Sequence, residues 1–386
     1  MDTVGGIIGI VANLAPWYEY PRARLWNCSD TGSDALAFHA AWPDYRPTPL
    51  AEAPGLAEEL GVARVFVKDE SARMGLPAFK VLGASWAVFR SLIERVGGAA
   101  PSTLEELALR LRPMSPVELV AATDGNHGRA VAHVAGLLGL ACRVFLPHVA
   151  DSSVVTAIRE EGAVVTVVEG PYDEAVRRAA DLAQRAGPGA LLVQDTAWHG
   201  YQEVPALVVE GYSTLFREID EQLGGGVGER GLVAVPVGVG SLAQAAIAHY
   251  RRDTLVRRPA LLAVEPDTAA CVLASLTAGE LKTVPTAHTV MTGLNCGTPS
   301  SLAWPQLRNG LNAALAVSDD EALQAVADLE TVGVTTGPSG AASLAGARAA
   351  LTGEGSEERR AGMGVDGTAT VVLLCTEGRT AYPAKG

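Results

Sequence analysis

What the sequence has little of narrows its function first. Of 386 residues only four are lysine, Lys68, Lys80, Lys282 and Lys385, although lysine and arginine together number 30. Most basic positions have gone to arginine, so each remaining lysine is a better candidate for a role that needs an amine. Acidic residues number 43 and the formal net charge is −13. A basic face for nucleic acid or an anionic membrane is therefore not expected. No apolar run approaches the roughly 18 residues of a membrane span. The apolar run 5–12 has no basic residue ahead of it, the first being Arg22, which argues against a secretory signal. The five cysteines, Cys28, Cys142, Cys271, Cys296 and Cys375, include no Cys-x-x-Cys pair. An odd, dispersed set fits a reducing cytoplasm better than a disulfide framework. The seven histidines show no His-Glu-x-x-His or other ligand spacing, so no metal is expected.

What is there is a folded, core-forming chain. Hydrophobic residues make up 48% and charged residues 19%, which excludes disorder. The length fits two domains or three. Strand and helix patterns alternate through the middle: strands at 117–122, 141–146, 164–168 and 191–194, with helices at 127–140, 152–160 and 173–186. A second region repeats the style, with strands at 232–237, 261–264 and 370–374 and a helix at 242–250. Such alternation predicts βαβ units and parallel sheets, an α/β class. In open α/β sheets ligands bind beyond the carboxyl ends of strands. Four predicted strand tips carry chemistry: Asp124 to Gly128, Asp195 with Thr196, Gly238 to Ser241, and Cys375 to Gly378. Their expected place is one sheet edge.

Each motif has a plain structural reading beside the functional one. Gly238, Val239, Gly240, Ser241 and Leu242 join a strand to a helix, where small residues and free N–H groups suit an anion; the plain reading is a glycine turn capped by Ser241. The nearby Gly-x-Gly-x-x-Gly at 226–231 precedes a strand and fails the dinucleotide context. Lys80 sits among apolar residues at a helix start, where desolvation and the helix dipole both favour the neutral, nucleophilic amine; the plain reading is a snorkelling surface lysine. Its rival Lys68 adjoins Asp69 and Glu70, which would keep it protonated. Asp124 and Asp195 at strand tips suit acid–base work or, equally, capping and turn roles. Asn126 offers an amide that donates and accepts, and His127 is as much a structural candidate as a catalytic one.

In this order the segments resemble the fold-type II pyridoxal-phosphate enzymes, the tryptophan synthase β family. The likeness rests on Val67-Lys68-Asp69-Glu70-Ser71-Ala72-Arg73-Met74-Gly75-Leu76-Pro77-Ala78-Phe79-Lys80, on Thr123-Asp124-Gly125-Asn126-His127-Gly128-Arg129, on Val193-Gln194-Asp195-Thr196-Ala197-Trp198 and on Gly293-Leu294-Asn295-Cys296-Gly297. Within that family they are most similar to the diaminopropionate ammonia-lyase branch. The resemblance implies two three-layer parallel-sheet domains: a large cofactor-binding one from 1–84 and 206–386, and a small one from 85–205. It implies a cytoplasmic homodimer acting on a small amino acid. Lys80, beside Phe79, would hold pyridoxal 5'-phosphate as a Schiff base, and Asn126 would bond the ring oxygen. Gly238, Val239, Gly240, Ser241 and Leu242 would cradle the phosphate, and Cys375 or Thr376 would meet the pyridine nitrogen. Asp124 and Asp195 would be the acid/base pair, with Ser71, Thr123, Gly125 and His127 lining the substrate. The implied reaction is α,β-elimination of D- or L-2,3-diaminopropionate to pyruvate and ammonia. Thr298, Pro338 and His199 stand where the family carries acidic residues, with Glu377 a possible substitute. That keeps another β-leaving group, a β-replacement or a racemisation open, and beyond them a non-catalytic module that binds a phosphorylated ligand.

Overall fold

The structure is a computed structural model. It describes Ile7–Ile8 and residues 16–379, apart from positions 31, 43, 98–103, 115, 116, 124, 149 and 171. Twelve strands follow in chain order among the described residues: β1 Ile7–Ile8, β2 Trp17–Glu19, β3 Leu50–Glu52, β4 Arg64–Asp69, β5 Glu118–Ala122, β6 Ala141–Pro147, β7 Val164–Val168, β8 Ala190–Leu192, β9 Leu232–Pro236, β10 Ala260–Pro266, β11 Ala313–Val317 and β12 Thr370–Cys375. They form an eight-stranded sheet in the order β1-β2-β11-β10-β9-β12-β4-β3 and a four-stranded sheet in the order β7-β6-β5-β8. The described residues divide into two compact units, one of 7–8, 16–32, 47–72 and 215–379, the other of 33–46 and 73–214. The segment 85–205 lies wholly within the second unit, joined there by 33–46, 73–84 and 206–214.

In the first unit, β11, β10, β9, β12 and β4 run parallel, flanked by antiparallel β2 and β3. Alternate residues Val65, Val67, Leu232, Ala234, Leu262, Val264, Val371 and Leu373 pack into a core with Leu56, Leu60, Leu344 and Leu351 from flanking helices. The intervening residues Phe66, Val233, Val235, Leu261, Ala263, Val372 and Leu374 are buried too. A sheet buried on both faces needs helices on both, which is why these strands read as continuous apolar runs.

In the second unit all four strands are parallel. Val120, Ala122, Phe145 and Val168 pack against Ala175 and Ala179 of the Tyr172–Ala186 helix. The helix Lys80–Val96 buries every residue from Val81 to Phe89 and then Leu92, so its first half is enclosed on all sides. It crosses the Glu203–Gly211 helix at a close contact where glycines face the Val208 and Leu82 carbonyls and the Val208 and Tyr212 side chains. A Cβ on Gly83 would lie 2.8 Å from the Val208 carbonyl oxygen, and one on Gly211 would lie 2.8 Å from the Gly83 Cα. Only glycine at both positions permits that approach, and it fixes the helix whose first residue is Lys80.

The predicted helices and strands of 117–194 appear within a few residues of their expected bounds. One expectation is corrected. The four strand tips do not share an edge: the tips of β5 and β8 belong to the four-stranded sheet, those of β9 and β12 to the eight-stranded one. Hydrophobic pattern identifies a parallel strand but not which sheet it joins. No helix of the described residues is long and apolar enough to cross a membrane.

Candidate active site

The second unit builds a charged cluster at the end of β8. Beyond Leu192 the strand geometry is continued by side chains acting as peptide groups. Gln194 Nε2 donates to the Ala122 carbonyl (2.8 Å), and its Oε1 accepts from the Ala122 N–H (3.0 Å). The Tyr201 hydroxyl donates to the Leu192 carbonyl (2.8 Å) and accepts from the Gln194 N–H (3.0 Å). These bonds hold Asp195 just past the strand tip.

Lys80, as expected at a helix start, reaches Asp195: Nζ lies 2.6 Å from Oδ2. The lysine side chain is 22% exposed and the aspartate's 10%. Nζ also stands 5.6 Å from the Phe79 ring centroid, a cation–π distance, and Phe79 packs on Tyr212 with centroids 4.8 Å apart. Burial works to raise the Asp195 pKa, but the charges of Lys80 and His127 and the Lys80 hydrogen bond outweigh it and hold the carboxyl well below the usual carboxylate range. While the ammonium is present, Asp195 is a poor base. Without it, burial dominates and its proton affinity rises.

His127, second residue of the Asn126–Leu138 helix, is 2% exposed. Its Nε2 lies 2.9 Å from the Val193 carbonyl oxygen; only a protonated nitrogen bonds a carbonyl, so Nε2 carries the hydrogen. Nδ1 is buried without a hydrogen-bond partner and stands 3.9 Å from Asp195 Oδ2. Burial pushes the imidazole pKa down, Lys80 adds to that and Asp195 opposes it. Thr123, buried, accepts the Gly125 N–H at 2.9 Å, and Asn126 opens the helix, 9% exposed. Asp124 lies outside the described residues.

The first unit supplies an anion cradle and a neutral strand tip. β9 turns at Gly238, Val239 and Gly240 into the Ser241–Tyr250 helix. Gly240 has φ +99°, in the left-handed region, and a Cβ there would meet Leu307 at 2.7 Å. The first-turn N–H groups of a helix have no partner within it; here they follow two glycines, with the Ser241 hydroxyl beside them. Such a cradle fits a phosphate. At the tip of β12 the Cys375 thiol is fully buried and shares the hydrophobic core with Val371 and Leu373. Burial first, then Asp69, push its pKa up to about 12, against hydrogen bonds to Thr336 and Ser343. Thr376 follows, 5% exposed. Ser71, at the tip of β4, adjoins Gly378 closely enough that a Cβ on the glycine would meet the Ser71 Cβ at 3.0 Å.

Lys68 is charged by a partner that sequence reasoning missed. Its Nζ pairs with Glu218 at 2.7 Å and also donates to the Thr48 carbonyl and Gln222 Oε1, each at 2.9 Å. Asp69, the next residue along the strand and so on its opposite face, accepts the Ser71 N–H, and Glu70 accepts the hydroxyl of Thr48, whose carbonyl Lys68 also bonds. The glycines of 226–231 lead into β9 with no helix attached, as their context predicted.

Comparison with known proteins bears on this pattern directly. The family described as "Pyridoxal-phosphate dependent enzyme" matches residues 41–375. The diaminopropionate ammonia-lyase of Salmonella typhimurium is 34% identical over 369 residues, covering 91% of this chain and 90% of the relative. The crystal structure of the Escherichia coli diaminopropionate ammonia lyase in complex with D-serine superposes with a TM-score of 0.80 at 31% identity, covering 94% of this chain and 90% of that one. The same enzyme in complex with an aminoacrylate-PLP azomethine reaction intermediate gives 0.77 at 32% identity, covering 90% and 88%. A lysine at a helix start, an anion cradle before another helix and this extent of likeness lead to one statement: the chain belongs to the family of pyridoxal-phosphate dependent enzymes.

Proposed function

We propose that this enzyme eliminates ammonia from 2,3-diaminopropionate, giving pyruvate and two molecules of ammonia. The observation that carries the reading is the amine of Lys80 held 2.6 Å from buried Asp195, in a chain one-third identical to diaminopropionate ammonia-lyases over nine-tenths of its length. Bound pyridoxal phosphate supplies an electron sink for the substrate α-carbon. Lys80, beside Phe79, would hold the cofactor covalently, and Asn126 would donate to its ring oxygen. Gly238, Val239, Gly240, Ser241 and Leu242 would take the phosphate through backbone N–H groups and the serine hydroxyl. Of the two residues at the β12 tip, Cys375 is committed to the core, so Thr376 would meet the pyridine nitrogen, with a hydroxyl that need not protonate it.

Asp195 takes the α-proton of one enantiomer and Asp124 that of the other, with Ser71, Thr123, Gly125 and His127 around the substrate. An amine departs only when protonated, so a carboxyl group that has gained a proton serves next as the acid at the β-nitrogen. We also propose that the enzyme is a cytoplasmic homodimer, which light scattering of the purified protein tests. The decisive experiment gives the holo-protein D- and L-diaminopropionate, D- and L-serine and other β-substituted amino acids, and measures oxo-acid and ammonia. Two ammonia molecules per pyruvate from diaminopropionate support the reading. A new amino acid, an inverted enantiomer or no turnover overturns it.

A further inference from the structure

Two nitrogens converge on one oxygen in the second unit. Asp195 Oδ2 is 2.6 Å from Lys80 Nζ and 3.9 Å from His127 Nδ1. The histidine nitrogen is buried, carries no hydrogen and has no hydrogen-bond partner. A buried polar atom left unsatisfied is costly and calls for an explanation. Two proton acceptors face each other here, which accounts for a separation beyond hydrogen-bond length. A proton placed on either one would turn that repulsion into a charge-assisted hydrogen bond.

Resting on the function proposed above, we propose that His127 Nδ1 is the proton acceptor for Asp195, a positioning residue engaged once Lys80 no longer holds Oδ2 as an ammonium. The proton balance is simple. Asp195 removes a proton from the substrate carbon, and the electron pair of the C–H bond stays on the carbon. The new Oδ2–H bond then breaks as a bond to Nδ1 forms, leaving imidazolium beside carboxylate. The proton returns through the same Oδ2 to the departing β-nitrogen, whose C–N bond breaks with the electron pair going to nitrogen, so that ammonia leaves. The Val193 carbonyl keeps the ring aimed throughout, because it holds Nε2–H.

The charged and titratable groups facing His127 set the pH response. Lys80 disfavours its protonation and Asp195 favours it. Tyr201 and Tyr212 stand near Asp195, but burial pushes both phenols above the physiological range, so neither titrates with it. Losing the Lys80 charge therefore raises the proton affinity of His127 and Asp195 together.

The test follows the histidine directly by ¹⁵N NMR in full-length cofactor-free protein with labelled histidine. In the wild type, His127 shows the neutral, Nε2-protonated ring near neutral pH. In Lys80→Met, Nδ1 also gains a proton and its affinity rises about tenfold or more, one pH unit on the general scale of such charge effects. Adding Asp195→Asn to that variant reverses the gain. An unchanged midpoint in Lys80→Met overturns the proposal whether or not diaminopropionate is the substrate. A second arm uses the holoenzyme: His127→Gln, with cofactor content matched to wild type, is expected to lower kcat about 10- to 100-fold, the low end of acid–base contributions, and to shift the pH–rate profile without raising KM. A loss of cofactor binding with an unshifted profile would mark His127 as purely structural and overturn the proposal. If His127→Gln does not fold, the NMR arm still decides.

Discussion

Lys68 and Lys80 each bond a carboxylate, at 2.7 and 2.6 Å, yet they sit in different surroundings. Lys68 lies within the first unit, wholly buried with a buried Glu218, and its ammonium donates to a carboxylate, an amide and a backbone carbonyl. Lys80 opens a helix in the second unit with its side chain 22% exposed, beside an aromatic ring and a histidine nitrogen that lacks a partner. The same ion-pair chemistry thus ties three chain segments together at one place and keeps an amine ready at the other. What separates them is not pair length but burial: the Lys68 side chain is wholly enclosed with its partner, whereas the Lys80 side chain is 22% exposed. An enclosed pair makes a structural charge, and one within reach of a ligand makes a reactive group.

The largest effect that would sharpen the contrast is at the second lysine. Lys80→Ala is expected to abolish the visible cofactor band that borohydride reduces, together with all turnover, while circular dichroism stays unchanged. A surviving reducible band would break the comparison. Asp195→Asn comes next, with turnover of one enantiomer of diaminopropionate falling about 10²- to 10⁴-fold, as expected for a proton-transfer group. Asp124→Asn should act on the opposite enantiomer, and equal losses on both would remove the two-base assignment. At the first lysine the expected damage is to stability. Lys68→Met removes the cation beside buried Glu218, at a cost of about 3–5 kcal/mol, seen as a lower midpoint in urea, with the cofactor band retained in folded protein. Adding Glu218→Leu should recover most of that loss; failure to do so would show that the pair does more than balance its own charge.

The smallest effect is a pH dependence. Asp195 has a depressed pKa in the folded protein, so its pairing stabilises the fold above the unfolded carboxyl value of about 3.9 and is lost as pH falls through the lower folded value. In cofactor-free protein, Asp195→Asn should flatten the acid limb of Tm against pH by a few degrees. A limb of unchanged steepness would assign acid unfolding to other carboxylates.

Much of this was legible in the sequence, for identifiable reasons. Strands buried on both faces leave long apolar runs, so 141–146 stood out, while 164–168 stood out by its run of β-branched residues although it is an edge strand. Lys80 stood out because lysine is rare here and its neighbours are apolar. Other features had no local signal. Ala313–Val317 is a central strand made largely of alanine, a composition that reads as helix or loop. β2 and β3 span three residues each, too short for a period of two to register. The partner of Lys68 lies 150 positions away, and the choice between Cys375 and Thr376 turns on which one the core takes up. The empty Nδ1 of His127 depends on a ring orientation that no spacing rule encodes.

The crossing at Gly83 and Gly211 bears on how this protein can change. With main chain pressed against main chain, neither position offers a route for gradual substitution, because even a methyl group must push the lysine-bearing helix outward. Libraries built to redirect the enzyme should come back almost invariant at these two sites. Variation will concentrate instead on the edge strand β7, where Val164 and Val167 are exposed, and new specificities will have to arise around an immovable pivot.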